Sequence, residues 1–483
     1  MADHFDLLVI GAGPAGEKGA AQAAYFGKRV CVVERAPRPG GAAVNTGTVP
    51  SKTLRETALY FSGLRQRGLY GVEYHVKPDI TIADFMFRER AVVEASWQLI
   101  DENFARHGIT VVQGSATVID GHTVEVTRHT ETRRLTAETI LLATGSHPLR
   151  PAAIPFDGEV VLDSDDILRM QSIPSRLVVI GGGVIGCEYA GIFGALGCRV
   201  TIVNARERLL TQLDAQVSEA LRADMTRRLG AQVMLNAEVR DIRVDEAERS
   251  RFAVVTLTDG TEIAADAVLY SVGREGSTRD LGLEKAGIRT NDRGFVLVDK
   301  RYRTTVPTVY AAGDVIGFPA LAATSMEQAR VAMCHAFELK YKQELSPVLP
   351  YGVWTVPEIA MVGETEESAR EKGLEYEIGH SSFRLNPRGQ IIGDLEGFVK
   401  LVFRPGDQQL LGCSVFGEGA CEMIHVAAAV LSFGGTIDYF IQSVFNYPTL
   451  SDVYKYAAYD GLQRLARRRS RVASLPSSAL PGS

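Results

Sequence analysis

Leu7-Leu8-Val9-Ile10-Gly11-Ala12-Gly13-Pro14-Ala15-Gly16 and, 170 residues further on, Leu177-Val178-Val179-Ile180-Gly181-Gly182-Gly183-Val184-Ile185-Gly186 decide how the rest of the chain is read. Each is a short apolar strand running into Gly-x-Gly-x-x-Gly. Ala20 and Gly27 follow the first copy at the spacing at which Ala190 and Gly197 follow the second. Each unit then continues into a β-branched strand, Val30–Val33 and Val200–Val203. The first glycine permits a tight turn, the second lets a pyrophosphate approach the backbone, and the third lets helix pack on strand. The helix N-terminus adds free N–H groups and a positive dipole end. One such run arises readily for packing reasons alone. Two in matched context predict two dinucleotide sites.

The residue eighteen positions after the last glycine distinguishes the units. In the first it is Glu34, whose carboxylate can accept hydrogen bonds from an adenosine ribose diol. In the second it is Asn204, followed by Arg206 and Arg208. An acid there would repel a 2′-phosphate, so asparagine with nearby arginines suits NADP(H), with NAD(H) still open. The competing reading of Arg206 and Arg208 is a pair of solvated loop charges.

At 483 residues the chain has room for two or three domains, and 23% charged with 46% hydrophobic residues is an ordinary globular balance. A net charge of −6 gives no electrostatic reason to expect a nucleic-acid partner. No stretch approaches the roughly 18 apolar residues of a membrane span. The N-terminal MADHFDLLVI has no basic segment and runs straight into a strand, so a cytoplasmic protein is expected. Cys31, Cys187, Cys198, Cys334, Cys413 and Cys421 form no C-x-x-C or zinc spacing. They read as small buried hydrophobes in a reducing compartment, and no metal site is expected.

Between and beyond the glycine units lie further recognisable runs. Gly40 to Lys52 reads GGAAVNTGTVPSK, residues 53–110 have helical periodicity, and 120–145 form short strands ending in Leu142-Ala143-Thr144-Gly145. Ser271-Val272-Gly273-Arg274 follows a second apolar strand, and the run Thr308-Val309-Tyr310-Ala311-Ala312-Gly313-Asp314 comes later. In this order the runs resemble the pyridine nucleotide–disulfide oxidoreductases, the family of lipoamide dehydrogenase and glutathione reductase, over about residues 5–465. The resemblance implies an α/β fold of two Rossmann-like dinucleotide-binding domains plus a C-terminal α+β dimerisation domain. It places the FAD-binding domain at 1–148 and 275–348, the NAD(P)-binding domain at 149–274 and the dimerisation domain at 349–465. Residues 466–483, rich in Arg, Ser and Pro, are expected to be a disordered tail. FAD would be held by Gly11, Gly13, Gly16, Glu34, Lys52, Thr144, Gly145, Gly313 and Asp314, the aspartate on the ribityl chain. The nicotinamide nucleotide, NAD or NADP, would be held by Gly181, Gly183, Gly186, Asn204, Arg206, Arg208 and Gly273. A homodimer or larger homo-oligomer is expected.

The family's two redox cysteines would stand where Ala43 and Thr48 are found. The resemblance also puts Lys52 near flavin N5 with Glu188 as its partner, both read as catalytic. In disulfide reductases a histidine precedes the proline of a His-Pro-Thr run and a glutamate follows; Phe445-Asn446-Tyr447-Pro448-Thr449 and Asp452 replace them. A tyrosine of ordinary pKa, about 10, is a poor base near neutrality. With both thiols and their base missing, a reduced flavin must discharge directly. A second nicotinamide nucleotide entering after the first leaves is the economical acceptor. The Gly-Thr-Val-Pro-Ser-Lys and Phe-Asn-Tyr-Pro-Thr runs are similar to those of the family's soluble transhydrogenases, some of which keep one cysteine where Ala43 stands. The alternatives are an NAD(P)H dehydrogenase that reduces a quinone or dye, and a non-catalytic flavoprotein that senses or scaffolds.

Overall fold

The apolar runs ahead of the two glycine motifs form central strands of two separate parallel sheets. A computed structural model of the chain describes residues 3–63, 81–247 and 250–473. β1 (Asp3–Ile10), α1 (Pro14–Tyr25) and β2 (Val30–Glu34) open the first sheet. Leu7–Ile10 and Val30–Val33 are buried throughout, as continuous apolar strands must be when helices cover both faces. α2 (Gly41–Asn45), α3 (Thr48–Ser62) and α4 (Ile82–Arg106) follow, the last begun by a capping box between Thr81 and Asp84. The helical reading of 53–110 thus falls on α3 and α4; residues 64–80 lie outside the described residues, and Thr110 already belongs to a strand.

β3 (Thr110–Gln113) pairs with β2, and β4 (Ser115–Val118), β5 (Thr123–Arg128) and β6 (Glu131–Leu142) form an antiparallel ribbon. The second half of β6 then runs parallel to β1. β7 (Ser146–Pro148) leaves this sheet for β8 (Val161–Leu162), β9 (Arg176–Ile180), α5 (Val184–Ala195), β10 (Arg199–Asn204), α6 (Ala215–Leu229) and β11 (Gln232–Leu235). β12 (Val239–Ala247), β13 (Ser250–Leu257) and β14 (Glu262–Ala265) make a separate antiparallel layer. β15 (Ala267–Tyr270) completes the second parallel sheet in the order β11-β10-β9-β15-β8. β16 (Arg274–Gly276) pairs antiparallel with β7, so the two crossings between sheets run side by side. β17 (Val309–Ala311) returns to pair with β6, and α7 (Ala322–Ala336) packs against α1.

The C-terminal part is an antiparallel sheet ordered β18-β19-β22-β21-β20. Its elements are β18 (Tyr351–Val353), β19 (Ile359–Gly363), α8 (Glu366–Glu371), β20 (Glu377–Ser382), α9 (Pro387–Ile392), β21 (Phe398–Phe403) and β22 (Leu410–Phe416). α10 (Ala420–Ser432), α11 (Asp438–Gln442) and α12 (Val453–Ala473) complete it. One apolar cluster joins Leu54 of α3, the second sheet, and Val353, Phe398 and Phe416 of this domain, so three layers meet in a single core. The tail expected from 466 needs correction: α12 continues to Ala473. Arginine and alanine favour helix, and buried Leu465 anchors the preceding turn. Residues 474–483 lie outside the described residues. Among the described residues no helix is long and apolar enough to cross a membrane.

Candidate active site

The first glycine turn is shaped by close backbone contacts. Gly11 sits at φ +101°, and a Cβ there would fall 2.5 Å from the Ala143 carbonyl oxygen. A Cβ on Gly16 would fall 1.8 Å from the Gly11 carbonyl oxygen, so α1 can lie against the turn only with glycine there. Gly13 backs onto Gly41, whose own Cβ would lie 2.8 Å from the Gly13 Cα, and Gly40 N donates to Ala12 O at 2.8 Å. GGAAVNTGTVPSK is thereby fastened to the first turn. Within it, Asn45 Nδ2 donates to Pro39 O and Gly41 O, and its Oδ1 accepts from Trp97 Nε1 at 2.8 Å. Ala43 is half-buried on α2, and Thr48 is exposed at the start of α3. All six cysteines lie elsewhere and are buried, and burial pushes the Cys31 thiol up to about 12.

Glu34 reaches back from the end of β2. Its Oε2 accepts from Ala12 N at 2.7 Å and its Oε1 from Ala36 N at 2.8 Å. Beside it is a cavity of about 200 Å³ with Arg38, Phe104 and Gln113 among its walls. Thr144, two residues past the end of β6, has a buried Oγ1 without a hydrogen-bond partner among the described residues. Gly145 (φ +71°) has nothing within 4 Å of where a Cβ would be. Asp314 follows Gly313 (φ +83°), whose N–H donates to Gln328 Oε1 at 2.9 Å. Ser146 Oγ donates to Asp314 Oδ2 at 3.1 Å and accepts from Arg274 Nε at 2.8 Å.

The second turn repeats the backbone and changes the chemistry. Gly181 is at φ +106°, a Cβ on Gly186 would lie 2.0 Å from the Gly181 carbonyl oxygen, and the space over Gly183 is open. Asn204 Oδ1 accepts from Gly182 N at 3.0 Å, while Nδ2 donates to Arg206 O at 3.1 Å and Arg208 O at 3.0 Å. Leu210 N donates to Gly182 O at 2.8 Å, folding residues 205–210 over the glycines. Both arginines touch Thr211 but end differently. Arg206 is exposed and donates to Thr211 Oγ1 at 2.7 Å. Arg208 is half-buried, donates to Thr211 O at 3.3 Å and faces Glu367 of the C-terminal domain. Gly273 (φ +92°) accepts from Leu149 N at the crossing between sheets.

Lys52 and Glu188, 136 residues apart, meet between the first turns of α3 and α5. Lys52 Nζ donates to Glu188 Oε2 at 2.7 Å and Oε1 at 2.9 Å. The Glu188 side chain is 6% exposed, and its Oε1 also accepts from Trp354 N at 2.9 Å. The Lys52 ammonium lies 5.0 Å from the centroid of the Trp354 ring. The C-terminal domain thus supplies both a donor and an aromatic face to this pair. Sequence reasoning missed Trp354, Ser146, Gln328 and Glu367. The available signals were weak: Trp354 is one of two tryptophans, and Ser146 and Arg274 adjoin flagged glycines. Tyr447, Val444 and Phe433 are all exposed on the C-terminal domain.

Residues 5–336 match the family described as pyridine nucleotide-disulphide oxidoreductase, and residues 349–458 match that family's dimerisation domain. The soluble pyridine nucleotide transhydrogenase of Mycobacterium tuberculosis is 44% identical, with 96% of this chain and 98% of that protein aligned. The protein of the same name from Colwellia psychrerythraea is 36% identical over 95% of this chain and 98% of its own. Among solved structures, LpdA from M. tuberculosis superposes with a TM-score of 0.86 at 28% identity, covering 95% of this chain and 99% of that one. The HOCl-induced flavoprotein disulfide reductase RclA from Escherichia coli does so at 0.84 and 28%, with 95% and 99% covered. With the family match spanning both parallel sheets and the C-terminal domain, the chain belongs to the pyridine nucleotide–disulphide oxidoreductase family.

Proposed function

We propose that this chain is an FAD-dependent NAD(P)+ transhydrogenase that passes a hydride between NADPH and NAD+. The observation that carries the reading is an intact Lys52–Glu188–Trp354 cluster beside a segment with no thiol at 43 or 48. Full-length relatives that carry the transhydrogenase name support it. The first turn fits FAD: a glycine cradle, the unpartnered Thr144 Oγ1, the Glu34 carboxylate and the cavity beside it are the parts an adenine dinucleotide needs. When bound, the flavin supplies a two-electron carrier that takes a hydride from one nicotinamide and returns it to another.

The residues of the chain have separable tasks. Gly11, Gly13 and Gly16 admit the flavin pyrophosphate at the N-terminus of α1, and Glu34 orients the adenosine end. Asp314, oriented by Ser146 and Arg274, accepts from the ribityl hydroxyls. Lys52 holds a positive charge where negative charge develops, and Glu188 keeps the ammonium oriented. Gly181, Gly183 and Gly186 admit the nicotinamide nucleotide, with Asn204, Arg206 and Arg208 at its adenosine ribose and Gly273 at the crossing. NADPH + NAD+ → NADP+ + NADH consumes no net proton, so Tyr447 in place of a base costs the reaction nothing. The dimerisation-domain match, with exposed Phe433, Val444 and Tyr447, supports a homodimer, and six unpaired thiols support action in the cytoplasm.

A quinone-reducing dehydrogenase is the second reading, favoured by the small, half-buried side chain at Ala43, where the family's disulfide reductases carry a cysteine. An anaerobic experiment separates them: reduce the enzyme with NADPH, add NAD+, and follow flavin absorbance. Rapid reoxidation by NAD+ is expected. A flavin that stays reduced with NAD+ but is oxidised by a quinone defeats transhydrogenation, and one bleached by neither nucleotide points to a non-catalytic flavoprotein. Lys52→Met is expected to slow flavin reduction by about 10²-fold in stopped-flow traces, the scale of one removed electrostatic stabiliser. Unchanged kinetics would take Lys52 out of the site.

A further inference from the structure

The turn after β10 is not held by its own domain alone. Asp214 caps α6, accepting from Gln216 N at 3.0 Å, and is paired with Lys400 of β21 at 2.9 Å. Both side chains are almost fully buried, and Lys400 also contacts Glu366 on α8. The next residue, Glu367, accepts from Ala215 N at 3.3 Å through Oε1. The same oxygen stands 3.9 Å from Arg208 Nη1. Glu367 Oε2 and Arg208 Nε are both buried without hydrogen-bond partners among the described residues. Burial works against the Glu367 charge, but hydrogen bonds from backbone N–H groups and Thr365, with the Lys400 ammonium nearby, hold its carboxyl below the usual range. An arginine and a carboxylate this close normally engage as a fork at hydrogen-bond distance. Here they face each other just beyond it, each with an unused polar atom.

We propose that Glu367, on the C-terminal domain, sets the nucleotide preference by competing with a 2′-phosphate for Arg208. The inference rests on the reading of residues 204–208 as the NADP(H) ribose site. With NAD(H) bound, Arg208 keeps Glu367 as its counter-ion. With NADP(H) bound, the phosphate takes the guanidinium and is left near the Glu367 carboxylate, a like charge that weakens its hold. A hydride exchange in which two nucleotides take turns at one site requires that neither be retained, and Glu367 supplies the release for the phosphorylated one. Glu367 is thus a positioning residue acting through Arg208.

The test is binding of NADP+ and NAD+ to the oxidised holoenzyme by titration calorimetry, which needs no turnover. Glu367→Gln keeps an acceptor for Ala215 N and removes the charge. It is expected to tighten NADP+ about three- to tenfold, the scale of one partly solvated charge contact, and to change NAD+ by less than about twofold. Glu367→Ala should shift the preference in the same direction, and neither variant should discriminate once Arg208→Ala is also present. Equal changes for both nucleotides, weaker NADP+ binding, or an effect that survives Arg208→Ala overturns the proposal. If the wild type binds NAD+ but not NADP+, the functional reading falls and this inference with it. If it binds both and Glu367→Gln does not discriminate, only the inference falls.

Discussion

Glu34 at the end of β2 and Asn204 at the end of β10 hold the same backbone position, the N–H after the first glycine of each turn, at 2.7 Å and 3.0 Å. Everything beyond that shared bond differs. A carboxylate can only accept, so the chain after β2 must turn an N–H inward, and Ala36 N supplies it. An amide also donates, so the chain after β10 turns the carbonyls of Arg206 and Arg208 inward instead. A single residue type therefore sets the polarity of each turn while the glycine geometry stays the same. Glu34 places a carboxylate beside its turn, and Asn204 places an amide, with Arg206 and Arg208 following it.

Three substitutions break or sharpen this contrast. Glu34→Ala is expected to cost most, about 2–4 kcal/mol of unfolding free energy, because two backbone N–H groups lose their acceptor. Denaturant melts and flavin content after gel filtration should both fall, and a variant that keeps full flavin content would show that the carboxylate is dispensable. Asn204→Asp should cost about 1–3 kcal/mol, since a carboxylate can hold Gly182 N but faces the Arg206 and Arg208 carbonyls without a donor. It should also weaken NADP+ more than NAD+; equal weakening would mean that only the turn's shape was damaged. Arg206→Ala should leave the melting temperature unchanged and weaken NADP+ about three- to tenfold, as expected for an exposed charge-assisted contact. Loss of NAD+ affinity to the same extent would remove Arg206 from the 2′ position.

The glycine turns were legible because what they require is local. Gly16 is forced by the Gly11 carbonyl of its own turn and Gly11 by its positive φ, and a spacing of a few residues reports both. Lys52 with Glu188 was legible only through resemblance, since nothing local to either residue announces a partner 136 positions away. Nothing in the sequence assigned Trp354 or Glu367 its partner. Their contacts to Glu188 and Arg208 exist because the C-terminal sheet packs on the second domain through Val353, Phe398 and Phe416, and apolar residues in strands say what is buried but not against what. The end of α12 was misread for a different reason. Composition registered the run of Arg and Ser, while the helix depends on Leu465 three turns into it and on the Asp460–Arg464 pair.

The Trp354 N–H that completes the Glu188 carboxylate carries a consequence for biosynthesis. Domains form as the chain emerges, N-terminal end first. Lys52 is made early, Glu188 in mid-chain, and Trp354 only after both dinucleotide-binding turns have been translated. The charge pair at the centre of the site therefore gains its last donor and its aromatic wall only when the C-terminal sheet docks. A chain cut before Trp354 would keep the first glycine turn and still lack the finished Lys52–Glu188–Trp354 cluster. Completeness of the polypeptide through Trp354 is thereby a condition for assembling this cluster.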